Sequence, residues 1–123
     1  MRGLRILFVD DTREPKDVHL KVDEDDILIA RTASSAINVL AGTPFGFNEI
    51  WLDFDLGFVY GQHEFADDST AMPIALWLCE EAFYGRQYPV GTIYIHSMNP
   101  VGSQAMKLVL ERYGYTVSMW EII

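Results

Sequence analysis

Five short apolar runs along the chain have the length and composition of β-strands. They are rich in Leu, Ile, Val and aromatic residues and cover residues 4–9, 27–31, 49–53, 92–96 and 116–120. The first run, LRILFV, ends abruptly at two acidic residues, as expected of a strand that is buried on both faces. This pattern predicts a sheet of five strands.

Three segments between these runs have the apolar spacing and the end signals of α-helices. Each begins at a side chain that can accept hydrogen bonds from free backbone N–H groups, and each stops at a glycine. The predicted helices extend from Thr32 or Ser34 to a left-handed Gly42, from Ser69 or Thr70 to Gly85, and from Asn99 to Gly114. Residues 11–26 contain Pro15 and leave room for only a short crossover. The first helix should therefore be short or missing.

The alternation of strands and helices favours an α/β fold. We predict an open, mostly parallel sheet with helices on both faces. A chain of 123 residues has the size of one domain, and we assign residues 1–123 to a single domain.

The charge and cysteine content exclude several classes of function. Eighteen acidic residues against nine Lys and Arg give a formal charge of −9, the wrong sign for an extended nucleic-acid-binding surface. The lone Cys79 excludes an internal disulfide and a zinc site built from several cysteines, and it suits a reducing compartment. No apolar stretch approaches the roughly 18 residues of a membrane span. We predict a cytoplasmic protein without a membrane partner.

Polar residues follow three of the predicted strands at the point where each strand ends. Asp10 and Asp11 follow the first, Asp53 and Asp55 the third, and His96, Ser97 and Asn99 the fourth. These side chains should converge because parallel strands end at the same edge, where open α/β sheets bind ligands.

Crowded carboxylates repel one another unless a hard cation neutralises them. We therefore expect Asp10, Asp11, Asp53 and Asp55 to bind Mg²⁺ or Mn²⁺. The alternatives are an ordinary solvated acid pair at residues 10–11 and a turn-forming role for Asp55.

Four further residues are candidates for handling a phosphate group at this edge. Arg13 presents a planar fork of donors suited to phosphate, or it pairs with the nearby acids. His96 could transfer a proton near neutral pH, or it hydrogen-bonds a neighbouring acid; it reaches the pocket only if the strand ends or bends there. Ser97 is a candidate phosphate-binding hydroxyl, and Asn99 either opens an anion site at its helix or only caps that helix. His96, Asp53 and Arg13 are the catalytic candidates.

The paired acids, the acid after the third strand and the hydroxyl after the fourth resemble the pocket of response-regulator receiver domains. The resemblance implies a flavodoxin-like sheet of order 2-1-3-4-5, Mg²⁺ bound by Asp10 and Asp11, phosphorylation of Asp53, and sensing by Ser97. Receivers also carry a Lys at the end of the fifth strand, whereas this chain has no Lys after Lys107.

Three motifs are more similar to the cyclic-phosphate processing receiver domains, a receiver-like family. They are LFVDDTREP at 7–15, WLDFDLG at 51–57 and HSMNPVG at 96–102. This resemblance implies a metal-dependent phosphoesterase, a hydrolase that processes phosphate esters such as cyclic phosphate ends of RNA or nucleotides. Its partner would be a phosphate-containing small molecule or an RNA end.

Two other functions remain open at this point. One is a signalling receiver phosphorylated on Asp53, and the other is a degenerate receiver that acts only as an interaction module. The long segment at 56–68 is rich in aromatic residues, which is typical of a lid, a partner surface or an ordered surface loop.

Overall fold

The computed structural model describes residues 3–18, 20–21, 25–57 and 69–120. The strands are β1 (Arg5–Val9), β2 (Asp26–Ala30), β3 (Phe47–Leu52), β4 (Val90–Ile95) and β5 (Val117–Met119). The α-helices are α1 (Ala33–Ala41), α2 (Met72–Phe83) and α3 (Pro100–Arg112), and a single 3-10 turn covers Pro15–Val18. Residues 58–68, most of the candidate lid, lie outside the described residues.

All neighbouring strands of the sheet pair in parallel, in the order β2-β1-β3-β4-β5. This confirms the predicted receiver-like α/β fold. β1 lies inside the sheet and is buried from Ile6 to Val9, which explains why its sequence is apolar without alternation. β2 lies at an edge and exposes Leu28 and Ile29.

The three α-helices all pack on one face of the sheet, so the predicted placement of helices on both faces is wrong for the α-helices of the described residues. The larger core lies beneath them and joins strand residues to each helix through Leu7, Ile50, Ile93, Leu40, Leu78 and Met106. The opposite face carries a smaller core of Ile6, Phe8, Val18, Leu20 and Trp51. In the described ranges, the 3-10 turn takes the place of a helix on this face.

The direction of the crossovers between strands explains why the three α-helices lie on one face of the sheet. The crossovers that follow β2, β3 and β4 all run in one direction along the sheet, and right-handed crossovers then place their helices on one face. The crossover from β1 to β2 runs in the opposite direction and lies on the other face. It is short, as the sequence predicts, so the carboxyl end of β1 is flanked by a loop.

The helix ends agree only partly with the sequence signals. Thr32 caps α1, because its side chain accepts from the N–H of Ser35 at 3.1 Å. The predicted cap of α2 is wrong: Ala71 occupies that position without a side-chain hydrogen bond, and Thr70 accepts from the N–H of Met72. Gly42 has a φ of −86° and so takes the right-handed conformation, not the predicted left-handed one.

None of the helices in the described ranges is long and apolar enough to cross a membrane. Cys79 is buried in the larger core.

Candidate functional site

The backbone ladder continues one residue beyond three strands and places Asp10, Asp53 and His96 side by side. Their backbone N–H groups donate to carbonyls of the neighbouring strands at 3.2, 3.0 and 2.9 Å. Because side chains alternate along a strand, all three share the sheet face of Phe8 and Trp51. The polar strand ends thus meet at one edge, on the face where the described residues form no α-helix.

Asp10 is completely buried, and both of its carboxylate oxygens accept hydrogen bonds. Oδ1 accepts from the backbone N–H groups of Thr12 and Arg13 at 2.9 and 2.8 Å. Oδ2 lies 3.0 Å from Nε2 of His96 and 3.3 Å from Nη1 of Arg13. Burial by itself would raise the pKa of Asp10, but these donors hold the pKa well below its ordinary value. Asp10 is therefore a carboxylate at neutral pH.

The His96 ring reaches across β3 to Asp10 and has no solvent exposure. It stacks on Phe8 with ring centroids 4.9 Å apart and tilts against Trp51. No bend is needed to bring it there, because alternation along β4 already places it on the face of the acids. Of the two sequence interpretations, the hydrogen bond to a neighbouring acid is the observed arrangement.

Burial lowers the pKa of His96, in spite of the adjacent Asp10 carboxylate. The ring is therefore neutral at pH 7, and Nε2 carries the hydrogen that it donates to Asp10. Nδ1 is buried and has no hydrogen-bond partner among the described residues. This tautomer leaves Nδ1 without a hydrogen, which is favoured because a hydrogen there would be an unsatisfied buried donor.

Asp53 is a buried acid whose charge is only partly compensated. Burial and the negative charge of Asp10 raise the pKa of Asp53 to about 7, against the lowering effects of the Ser97 hydroxyl and of Arg13. Oδ2 of Asp53 lies 3.3 Å from Nη1 of Arg13. Asp53 therefore keeps its proton to a higher pH than an ordinary aspartate does.

Three carboxylates are close enough to share a cation. One oxygen each from Asp10, Asp11 and Asp53 lies within 4.8 Å of the others, so that this group could hold a metal ion. Gly57 closes the site from one side: a Cβ there would lie 2.8 Å from Oδ2 of Asp11, and φ is +86°. Asp55 is not part of this group. It is exposed, and its Oδ1 lies 3.5 Å from Nδ2 of Asn99.

Arg13 lies against the buried acids. Its Nη1 is 3.3 Å from Oδ2 of Asp10 and 3.3 Å from Oδ2 of Asp53, and 26% of its side chain remains exposed. The ion pair between Arg13 and the nearby acids, one of the two interpretations of its sequence position, is thus present. The guanidinium also reaches the surface of the pocket.

Arg31 supports the backbone of the site, and the sequence analysis did not identify it. Its Nη1 donates to the backbone carbonyls of Asp10 and Arg13 at 3.1 and 2.6 Å, and its Nη2 pairs with Glu14. It thereby fixes the backbone of the loop that carries Arg13. A signal was available, because Arg31 directly follows β2 and must lie at the same sheet edge as the acids.

The segment from Ser97 to Gly102 closes the pocket on the side of β4. Asn99 caps α3, since its side chain accepts from the N–H of Gly102 at 2.9 Å. A Cβ at Gly102 would lie 2.4 Å from the ring of Phe54, so glycine lets the first turn of α3 pack directly on the chain that follows Asp53. Ser97 accepts from the N–H of Asn99 at 3.2 Å, and its hydroxyl lowers the pKa of the Asp53 carboxyl.

A comparison with protein families matches residues 5–112 to the family described as the cyclic-phosphate processing receiver domain. The chain belongs to this family. No curated protein matches the sequence significantly. Among the described residues of this cyclic-phosphate processing receiver domain, the cation paired with Asp53 is Arg13 from the loop after β1, where a phospho-accepting receiver would use a Lys after β5.

Divalent-cation binding to the cyclic-phosphate processing receiver domain is expected to strengthen with pH. Asp53 must lose its proton to become a ligand, and its pKa lies at about 7. The affinity should therefore rise about tenfold per pH unit below that pKa and level off above it. Calorimetric titration with MgCl₂ or MnCl₂ between about pH 6 and pH 8 measures this dependence. The bound cation should also raise the melting temperature.

Asp53→Asn should lose most of the affinity and all of this pH dependence. An affinity in the wild type that is constant across the range would contradict the assignment of Asp53 as a ligand.

Proposed function

We propose that this domain binds and processes phosphate esters with Mg²⁺ or Mn²⁺, among them cyclic phosphate ends of RNA or nucleotides. The observation that supports this most directly is the cluster of three carboxylates with a guanidinium 3.3 Å from two of them. Carboxylate oxygens are the ligands that these cations prefer, and a guanidinium matches phosphate oxygens. The description of the family points to the same substrate class.

Some residues of the pocket would bind the cation, and others would bind the phosphate. Asp10, Asp11 and Asp53 would hold the cation, which when bound supplies charge neutralisation at phosphate oxygens and an activated water. Arg13 would hold one phosphate oxygen, and the Ser97 hydroxyl would donate to another. Asn99 would act by holding the first turn of α3 against the pocket.

His96 has a different role from the proton transfer that its chemistry suggests. Its ring is fully buried behind Asp10, so it cannot touch a substrate. We assign it to positioning Asp10. Of the three catalytic candidates, Arg13 and Asp53 are left to touch the reacting phosphate, and both keep some exposure.

A panel of phosphate monoesters, diesters and 2′,3′-cyclic ends, incubated with the protein and Mg²⁺ or Mn²⁺, tests the proposed activity. We expect turnover of at least one class, and a loss of about 100-fold or more in Asp53→Ala. Asp26→Ala is the matched control, because Asp26 is an exposed acid at the opposite end of the sheet. Failure of every ester with both cations, or equal loss in both variants, would contradict the proposal.

The effect of the Ser97 hydroxyl on the Asp53 carboxyl also favours a second candidate, a signalling receiver phosphorylated on Asp53. Beryllofluoride separates the two functions, because stable Mg²⁺-dependent loading on Asp53 without ester turnover would support signalling. If neither occurs, the domain is an interaction module. A cytoplasmic location stays a prediction from the lone cysteine.

A further inference from the structure

The guanidinium of Arg13 contacts two of the three carboxylates that could share a cation. Nη1 is 3.3 Å from one oxygen of Asp10 and from one oxygen of Asp53. These two residues also belong to the group whose oxygens lie within 4.8 Å of one another. A divalent cation bound there and an arginine in this rotamer would place three positive charges within one coordination sphere, at a mutual distance where repulsion is strong.

The backbone of Arg13 is fixed, although its side chain is not enclosed. Its N–H donates to Oδ1 of Asp10 at 2.8 Å, and its carbonyl accepts from Arg31 at 2.6 Å. The side chain is 26% exposed and contacts the acids through Nη1. A rotation of the side chain can therefore take the guanidinium to the mouth of the pocket while the loop backbone and Asp10 stay in place.

We propose that Arg13 is a resident counter-cation that a divalent metal displaces, and that the displaced guanidinium then binds the phosphate oxyanion. The inference rests on the proposed function and adds a binding order to it. The metal and Arg13 compete for the carboxylates of Asp10 and Asp53, so the metal alone binds weakly. A phosphate group removes that competition by giving the guanidinium another partner. The cation and the phosphate therefore tighten each other's binding, by the same factor in both directions.

The substitution Arg13→Gln separates the two halves of this inference. Without phosphate, R13Q should bind Mn²⁺ or Mg²⁺ about fivefold or more tightly than the wild type does, because the competing charge is gone. In the wild type, saturating inorganic phosphate should tighten metal binding by about fivefold or more, and in R13Q this coupling should be much smaller, because only the direct attraction between the cation and the phosphate is left. Calorimetric titrations of each metal, with and without phosphate, give all four affinities.

Lys16→Gln is the matched control, since it removes the same charge from an exposed position three residues away. It should reproduce neither the tighter metal binding nor the loss of coupling. If K16Q behaves as R13Q does, the effect is one of net charge and the inference is overturned. R13Q that folds but binds metal more weakly than the wild type, or that keeps the coupling, also overturns it.

A measurement on the wild type keeps the inference testable should R13Q fail to fold. The Nε–H resonance of Arg13 in the NMR spectrum should shift when Mg²⁺ is added and shift again with phosphate. An Arg13 resonance that is unchanged while Mg²⁺ is bound overturns the displacement. If the wild type binds no divalent cation at all, the proposed function fails and the inference fails with it.

Discussion

Replacing Asp10 with asparagine is expected to lower the free energy of unfolding by about 3 kcal/mol. Repulsion between neighbouring acids would by itself predict a harmless or stabilising change, but Asp10 accepts four hydrogen bonds in a fully buried position. An asparagine can keep its oxygen toward the two backbone N–H groups. Its amide nitrogen then faces the Nε2 hydrogen of His96, a donor against a donor.

The alternative tautomer of His96 does not rescue this variant. If Nε2 accepts from the asparagine amide, the hydrogen moves to Nδ1, which is buried without a partner in the described part of the chain. One unsatisfied buried donor replaces another, and each costs about 1–3 kcal/mol. The ion pair between residue 10 and Arg13 is lost in both cases.

The same substitution at Asp53 is expected to have the opposite sign. The folded state raises the pKa of Asp53 to about 7 from an ordinary 3.8, so the ionised carboxyl destabilises the fold above pH 7. This cost declines as the pH falls from 7 toward 4, because the folded state then keeps the proton that the unfolded state has lost. Asp53→Asn should therefore raise the melting temperature by several degrees at pH 8 and by little near pH 4.

Chemical denaturation of both variants and the wild type, in the presence of a chelator and at both pH values, measures these effects. Asp26→Asn is the control, because Asp26 is exposed and should change stability by less than about 0.5 kcal/mol. Equal destabilisation by Asp10→Asn and Asp53→Asn would contradict this interpretation, in which hydrogen bonds stabilise the ionised Asp10 whereas burial and repulsion destabilise the ionised Asp53.

His96→Ala is expected to be the second severe change, with a loss of about 3 kcal/mol or more in stability. The substitution removes a ring that stacks on Phe8 and leaves Oδ2 of Asp10 without its buried donor. Since Asp10 also belongs to the acidic cluster, divalent-cation affinity should fall by about tenfold. A proton-transfer residue would behave differently, with a loss of about 10²- to 10⁴-fold in turnover while cation binding persists.

His96→Gln distinguishes positioning from proton transfer. The glutamine amide can donate to Oδ2 of Asp10 in place of Nε2 but cannot transfer a proton near neutral pH. If His96 positions Asp10, this variant should recover most of the cation affinity and leave the shape of the pH–activity profile unchanged on a confirmed substrate. If one limb of that pH–activity profile is lost while cation binding stays intact, His96 acts in proton transfer.

The sequence alone was sufficient for the class of fold and for the location of the site. Strand runs, helix ends and the short segment after β1 are local features, and their alternation limits the chain to an open parallel sheet. Parallel strands share one polarity, so residues that follow β1, β3 and β4 must meet at one edge whatever their side-chain contacts are. For this reason the sequence by itself predicts that Asp10, Asp53 and His96 come together.

The tertiary structure decided which of these side chains touch one another. His96 reaches Asp10 across β3, and Arg31 reaches the Arg13 loop from β2, contacts that depend on strand order and on register between distant segments. The same arrangement shifts the pKa values of Asp10 and Asp53 in opposite directions. Asp10 accepts hydrogen bonds that lower its pKa, whereas burial and the negative charge of Asp10 raise the pKa of Asp53. Asp55 follows Asp53 by two residues but lies outside the cluster, because the chain leaves the strand between them and side-chain alternation no longer applies.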